Sequence, residues 1–330
     1  MKKVKIGIIG CGKIASCAHV PGLKAIKNVE ITGLFDVKKE NAERMKKDNL
    51  LDAKIFKSAE ELLGSGIDGV VIGTPNSTHC PLTLQALEKG VNVLVEKPMA
   101  VNLAEADKMI VLAGKKKLYL QVNQSLRFNN IYGKMKQLID KKTIGDIIHI
   151  RCLRASSGSP DKGWSPGAKW FIQKSFGGGI VMDIAVHMAD MMGWYAGDIK
   201  SVYAVNKIRG KDSEVTDNVN AIVDFENGAT GCLELSWTFP AGAGYLEIYG
   251  TEGIIRQGFN PSGDIEIAAK SKKFRKIKAG KVKNSYECFI LGILGKPQTN
   301  PVEVGRKALA ICSAIIESGE KKKPIALKVK

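Results

Sequence analysis

Asp183 and His187 stand four residues apart in the stretch Gly179–His187, whose other members are small or apolar. On a helix that spacing puts the acid and the imidazole on one face. The apolar neighbours predict a mostly buried helix, where two titratable groups need partners or a cleft. A satisfied core pair is the plain reading; an acid–base site, in which an imidazole takes a proton from a hydroxyl, is the chemical one. Glu96-Lys97-Pro98 offers a second set. Lys97 could polarise a substrate oxygen while Glu96 positions or neutralises it, although a surface ion pair before a strand-stopping proline has the same look. With a cofactor module elsewhere in the chain, the catalytic readings become the better ones.

Gly10-Cys11-Gly12-Lys13-Ile14-Ala15 supplies such a module. It follows an apolar run and opens a helical pattern. Gly10 permits a tight turn, Gly12 lets backbone approach a pyrophosphate, and Ala15 allows close helix–strand packing. Lys13 and Ile14 complete the loop that would face the cofactor. Asp36 closes the next apolar run at the separation where a carboxylate meets the adenosine ribose. It would repel a 2′-phosphate, so NAD is expected and NADP is disfavoured. Lys38 and Lys39 read as exposed residues at a helix start, though a cation there can tolerate that phosphate. Thr74-Pro75-Asn76 follows a further strand and is assigned to the cofactor, as are His79, Glu96 and Lys97. Ser77 or Thr78 could merely cap the next helix, and His79 also reads as structural. His19 and His149 show no partner pattern and read as structural or surface residues.

These residues need a frame. Between Lys3 and Val122 the strands are expected at Val4–Ile9, Glu30–Phe35, Gly69–Ile72, Asn92–Val95 and Leu118–Val122, with a weaker one at Ala53–Phe56. Helical patterns fall between them at Lys13–Ile26, Lys38–Lys47, Ala59–Leu63, Pro81–Lys89 and Ala104–Gly114. Alternation with nearly continuous apolar strands signals a parallel sheet covered on both faces. After Asn123 the period changes. A helix at Asn130–Lys141 precedes two-residue alternation at Ile147–Leu153, Ser201–Ile208, Asn218–Phe225, Thr230–Ser236, Tyr245–Tyr249 and Ile254–Gln257. Helices are expected at Ile180–Tyr195 and Val302–Ser318. The fold class is therefore α/β: a dinucleotide-binding domain over residues 1–123, then a domain over 124–330 with a large, mainly antiparallel open sheet.

Several classes are set aside by composition. The 330 residues carry 44% hydrophobic and 25% charged side chains, as soluble globular proteins do. No apolar run approaches the roughly 18 residues that span a bilayer, and Val4–Ile9 reads as a strand rather than an export signal. Seven scattered cysteines show no zinc or disulfide spacing, so no metal is expected and a cytoplasmic location is. The net charge of +17 is spread along the chain, which argues against a nucleic-acid surface and leaves a mild attraction for anionic cofactors and substrates. Its dense stretch, Lys270–Lys283, reads as a solvated edge hairpin.

Taken together, GCGKIA, Asp36, Thr74-Pro75-Asn76 with His79, Glu96-Lys97-Pro98, and Gly177-Gly178-Gly179 leading to Asp183 and His187 resemble the glucose-fructose oxidoreductase and inositol dehydrogenase (Gfo/Idh/MocA) family. The likeness extends to Asn123–Phe128, Thr216–Trp237 and Gly250–Gly253. It implies a Rossmann domain followed by an open-sheet domain through which copies pair as a homodimer or homotetramer. It implies hydride exchange between NAD and a sugar, cyclitol or sugar-derivative hydroxyl, with Lys97 and His187 at the reacting oxygen and Asp183 on the substrate. A cofactor-binding sensor without turnover and an NAD-dependent glycoside-cleaving enzyme are the alternatives. Within Arg151–Phe176, Arg154, Trp164, Lys169 and Trp170 are the substrate candidates.

Overall fold

The computed structural model describes residues 3–258, 264–270, 273–296 and 300–327. They form two compact units, one from Met1–Gln124 with Lys283–Arg306, the other from Ser125–Val282 with Lys307–Lys330.

In the first unit six strands run parallel: β1 (Val4–Ile9), β2 (Val29–Phe35), β3 (Lys54–Ile55), β4 (Gly69–Ile72), β5 (Asn92–Val95) and β6 (Leu120–Val122). Their order is β3-β2-β1-β4-β5-β6, so the winding reverses between β1 and β4. Parallel sheets of this kind bind ligands outside the carboxyl ends of such strands. All four residues of β4 are buried, as a strand covered on both faces requires. The intervening helices are α1 (Val20–Lys24), α2 (Lys39–Asp48), α3 (Ala59–Leu63), α4 (His79–Glu88) and α5 (Leu103–Lys116). Ser58 and Asn102 start α3 and α5 by accepting the N–H groups of Glu61 and Glu105 at 3.1 and 2.9 Å. The helix expected over Lys13–Ile26 is not uniform. Ala15–His19 forms a π-helical turn before α1, and Pro21, which has no N–H to give four residues back, sits at the junction.

The second unit opens with α6 (Asn130–Asp140) and β7 (Ile147–Ala155). A loop then reaches a π-helical turn at Val181–Ala185 that continues as α7 (Val186–Ala196). Then come β8 (Ile199–Lys207), β9 (Asn218–Phe225), β10 (Thr230–Ser236), β11 (Ala243–Gly250), β12 (Gly253–Gly258), β13 (Ile265–Ala269) and β14 (Arg275–Ile277). With β15 (Ile325–Ala326) they form a sheet of order β14-β13-β12-β11-β7-β10-β9-β8-β15 among the described residues. Among the described residues of this sheet only β7 and β10 pair in parallel. The expected alternation is present: β9 buries Val219, Ala221 and Val223 while Asn220 and Ile222 face solvent. Within the basic stretch, Arg275 and Lys276 lie exposed on β14, an edge strand of the sheet among the described residues, where such charges discourage further pairing.

A single boundary after residue 123 does not describe this division. Helix α8 (Ser285–Ile293) belongs with the first unit, because Tyr286, Phe289 and Ile290 share a core with Val4, Ile6 and Leu23. An apolar run shows that α8 must be buried somewhere; it does not show against which sheet. The last helix, α9 (Glu303–Lys321), supplies Ser318, whose Oγ accepts the Ala204 N–H of β8 at 2.8 Å.

Candidate active site

Four adjacent strand ends carry the cofactor candidates: Gly10 after β1, Asp36 after β2, Thr74 after β4 and Glu96 after β5. Gly10 has φ +91°, and a Cβ there would lie 2.5 Å from the Gly73 carbonyl oxygen. No side chain fits, so the tight turn needs glycine. A Cβ on Gly12 would meet nothing within 4 Å, which leaves the loop open where a pyrophosphate would approach. Lys13 is exposed and Ile14 half-buried. The Asp36 carboxylate accepts the backbone N–H groups of Cys11 and Lys38 at 2.7 and 2.8 Å and the Asn41 amide at 3.2 Å. Burial and the neighbouring Asp36 charge push the Cys11 thiol far above its ordinary range, so it is inert. The open glycine loop and the preset carboxylate fit a dinucleotide.

At the next edge Thr78 Oγ1 bonds to Thr74 Oγ1 and to the Pro75 carbonyl, both at 2.7 Å. This ties the turn over Thr74, Pro75 and the buried Asn76. His79 is 1% exposed, and its ring nitrogens face the carbonyl oxygens of Pro98 and Thr74 at 2.7 and 2.8 Å. His79, assigned to the cofactor from the sequence, is thus enclosed between two backbone carbonyls, and as a neutral ring it can donate to one of them. Burial holds its imidazole below the usual range, against the pull of those two carbonyls. Glu96 is buried too. Its Oε1 accepts the Asn123 amide at 2.5 Å, and its Oε2 accepts the Lys97 backbone N–H at 3.3 Å. It is a local brace, with Lys97 half-buried beside it.

In the second unit Asp183 lies in the π-helical turn and His187 in the first turn of α7. Both are half-buried, while Val181, Met182, Ala185, Val186 and Met188 are buried. They thus mark the open stripe of an otherwise apolar helix. The turn before it is made by glycines: Gly177 and Gly179 have φ of +67° and +108°. A Cβ on Gly178 would lie 2.4 Å from the Phe171 carbonyl oxygen. Helix α7 is pinned by Asp190, whose two oxygens accept Nε and Nη2 of Arg127 at 2.8–3.1 Å. No local pattern joins these two residues, and neither was among the expected site residues.

The four substrate candidates differ in their surroundings. Arg154 lines a cavity beneath α6 with Tyr132, Tyr245 and Gln257. Trp164 is 48% exposed and Lys169 is exposed, whereas Trp170 stacks on Phe171 with ring centroids 3.7 Å apart. Among the described residues no cluster of three or more His, Cys, Asp or Glu side chains could hold a metal ion. Nor is any helix there long and apolar enough to cross a membrane.

The chain is similar to known proteins over most of its length. Residues 4–124 match the oxidoreductase family with an NAD-binding Rossmann fold, and residues 132–256 match the GFO/IDH/MocA C-terminal domain. A myo-inositol 2-dehydrogenase of Thermotoga maritima is 30% identical over 262 residues, 76% of this chain and 74% of that protein. A glucose-6-phosphate 3-dehydrogenase of Bacillus subtilis is 33% identical over 208 residues, 63% of this chain and 57% of that one. A solved oxidoreductase from Thermotoga maritima superposes with a TM-score of 0.86 at 27% identity, covering 98% of each chain.

Proposed function

The chain belongs to the GFO/IDH/MocA family of NAD-binding oxidoreductases, and from that premise we propose that it oxidises a ring hydroxyl of a sugar, cyclitol or sugar derivative, or reduces the matching carbonyl. The observation that carries the reading is the shared strand edge where Asp36 clamps an open glycine loop two strands away from Glu96-Lys97. The relatives' names, an inositol dehydrogenase and a sugar-phosphate dehydrogenase, support the substrate class.

In this reading Gly10, Gly12, Lys13, Ile14, Asp36, Thr74, Pro75 and Asn76 hold NAD, which supplies the hydride-accepting ring. His187 takes the hydroxyl proton, Lys97 stabilises the negative charge growing on that oxygen, and Asp183 orients a neighbouring hydroxyl. Arg154 borders a cavity with Tyr132, Tyr245 and Gln257, which supports it as a substrate contact. The exposed sheet face, with Tyr203, Val205 and Ile222 at 39%, 44% and 59% exposure, supports pairing of two or four copies. Seven free thiols suit a reducing cytoplasm.

The test is a panel of sugars, cyclitols, sugar phosphates and nucleotide sugars, followed by NADH absorbance. Turnover of at least one member is expected. Tight NAD binding without turnover of any member, and without glycoside cleavage, would overturn the assignment in favour of a sensor.

A further inference from the structure

The mechanism leaves several buried titratable groups unused, His19 among them. His19 ends the π-helical turn after the glycine loop and is 0% exposed. Its Nδ1 lies 3.0 Å from the Tyr286 hydroxyl, and its Nε2 lies 3.5 Å from Oε1 of Glu96. Two glycines build the place. A Cβ on Gly22 would lie 2.1 Å from the Tyr286 ring, and one on Gly73 would lie 3.2 Å from His19 Nε2. The chain thus gives up side chains on α1 and after β4 to seat a tyrosine–histidine pair behind Glu96.

The proton positions follow from burial. Desolvation holds the imidazole below its usual pKa, although the Glu96 charge opposes this, so the ring carries one N–H. Burial, then the charge of Glu96, raises the Tyr286 hydroxyl well above the usual range. Tyr286 therefore keeps its proton and donates it to Nδ1, which leaves the N–H of His19 on Nε2, beside the carboxylate. The opposite tautomer would set a bare lone pair against Glu96. At 3.5 Å the Nε2 contact is electrostatic rather than a formed hydrogen bond, and Nε2 has no other partner. A buried donor held this close to a carboxylate asks for an explanation. Glu96 supplies one, since its other oxygen holds the Lys97 N–H.

We propose that Tyr286 and His19 are positioning residues for Lys97, acting through a relay that runs from the Tyr286 hydroxyl across His19 to the Glu96 carboxylate. The relay fixes the carboxylate against which the Lys97 backbone is set. It rests on the reading of Lys97 as a catalytic residue.

Tyr286→Phe removes only the hydroxyl and keeps the ring in the notch at Gly22. In the NAD-saturated enzyme it should lower kcat by about tenfold, with substrate KM and NAD affinity changed less than about twofold. His19→Gln, whose amide can still donate toward Glu96, should keep more turnover than His19→Ala. Nitrogen NMR of histidine-labelled, NAD-bound protein provides the readout that needs no turnover. It should find His19 neutral with its proton on Nε2 from about pH 7 to pH 9, and Tyr286→Phe should shift the Nδ1 resonance. A proton on Nδ1 would overturn the relay, whatever the substrate panel gives. A Tyr286→Phe enzyme with unchanged kcat and only a lower Tm would overturn the positioning role.

Discussion

Oδ2 of Asp36 accepts the backbone N–H of Cys11 at 2.7 Å, so one carboxylate both ends β2 and clamps the glycine loop at the end of β1. Oδ1 is more heavily used, accepting Lys38 N–H at 2.8 Å and Asn41 Nδ2 at 3.2 Å. A carboxylate has about four lone-pair positions. Three are taken by protein, which leaves a position on Oδ2 where the proposed ribose contact would be made. Asn41 is itself held by Arg44 Nη2 at 2.9 Å, so a guanidinium stands one residue behind the carboxylate.

Cofactor preference should follow from this arrangement. Asp36→Ala is expected to weaken NADH binding by on the order of tenfold to a hundredfold, the effect of losing a hydrogen bond to a charged group. It should narrow the gap to NADPH, because the 2′-phosphate is no longer repelled and Lys38 and Arg44 remain. Fluorescence titration of both reduced cofactors checks it. Equal binding of the two by the unmodified protein would defeat the assignment at the outset.

Stability should fall in mild acid. His19 and His79 are buried with pKa values held below the ordinary 6.5. The unfolded chain protonates near that value, whereas the folded chain resists. Their contribution is therefore whole above about pH 6.5 and is lost as pH falls below it toward the folded-state values, by up to about 1.4 kcal/mol per pH unit for each ring. Denaturant midpoints measured from neutral pH down to about pH 5 should decline, and His79→Asn should flatten the slope. An unchanged slope in that variant would assign the loss to other groups.

Much of the frame could be read from residue order. β4, β5, β9 and β10 fall where the sequence places them, since a continuous or strictly alternating apolar run has one periodicity that suits it. What escaped was distance in sequence. Tyr286 meets His19 across 267 positions, and Arg127 meets Asp190 across 63. Neither pair has a local signature, because each residue alone fits a helix surface or a core. β14 and β15, of three and two residues, are too short for a period to show. In the site, the tight turn at Gly10 was legible because turn chemistry acts locally. The enclosure of His79 was not, because only the fold brings Pro98 beside it.

Breaking the Arg127–Asp190 pair should be costly. Asp190 is 4% exposed and accepts the guanidinium through both oxygens, so Arg127→Ala leaves a buried carboxylate uncompensated. The expected loss is about 3–5 kcal/mol, read from urea unfolding. A loss below about 1 kcal/mol, the range of exposed pairs, would show that water replaces the guanidinium easily.

Pairing through the open sheet face is testable on neighbouring strands. Tyr203 of β8 sits opposite Ile222 of β9, and both are exposed. Cross-strand apolar neighbours of this kind form a continuous ridge. Light scattering of the unmodified protein at micromolar concentration should give a dimer or tetramer, and Ile222→Glu should shift it toward monomer. A monomer before any substitution would remove this face as an interface between copies.

The decisive kinetic test concerns His187. It lies half-buried on α7 in the second unit, whereas the glycine loop and Asp36 lie in the first. His187→Ala should therefore leave NAD affinity nearly unchanged while turnover falls by about a hundredfold or more, the usual weight of a general acid–base group. The loss should appear in the single-turnover rate at saturating substrate, because the proton moves in the chemical step. Lys97→Ala should also lower turnover, but it changes the strand edge that carries the cofactor candidates and is the less clean probe. His187→Gln separates charge transfer from shape, since it keeps a polar group on the helix yet cannot take a proton near neutrality. If His187→Gln and a folded His187→Ala both retain near-normal single-turnover rates, the imidazole is a helix-packing residue and proton transfer belongs to another group.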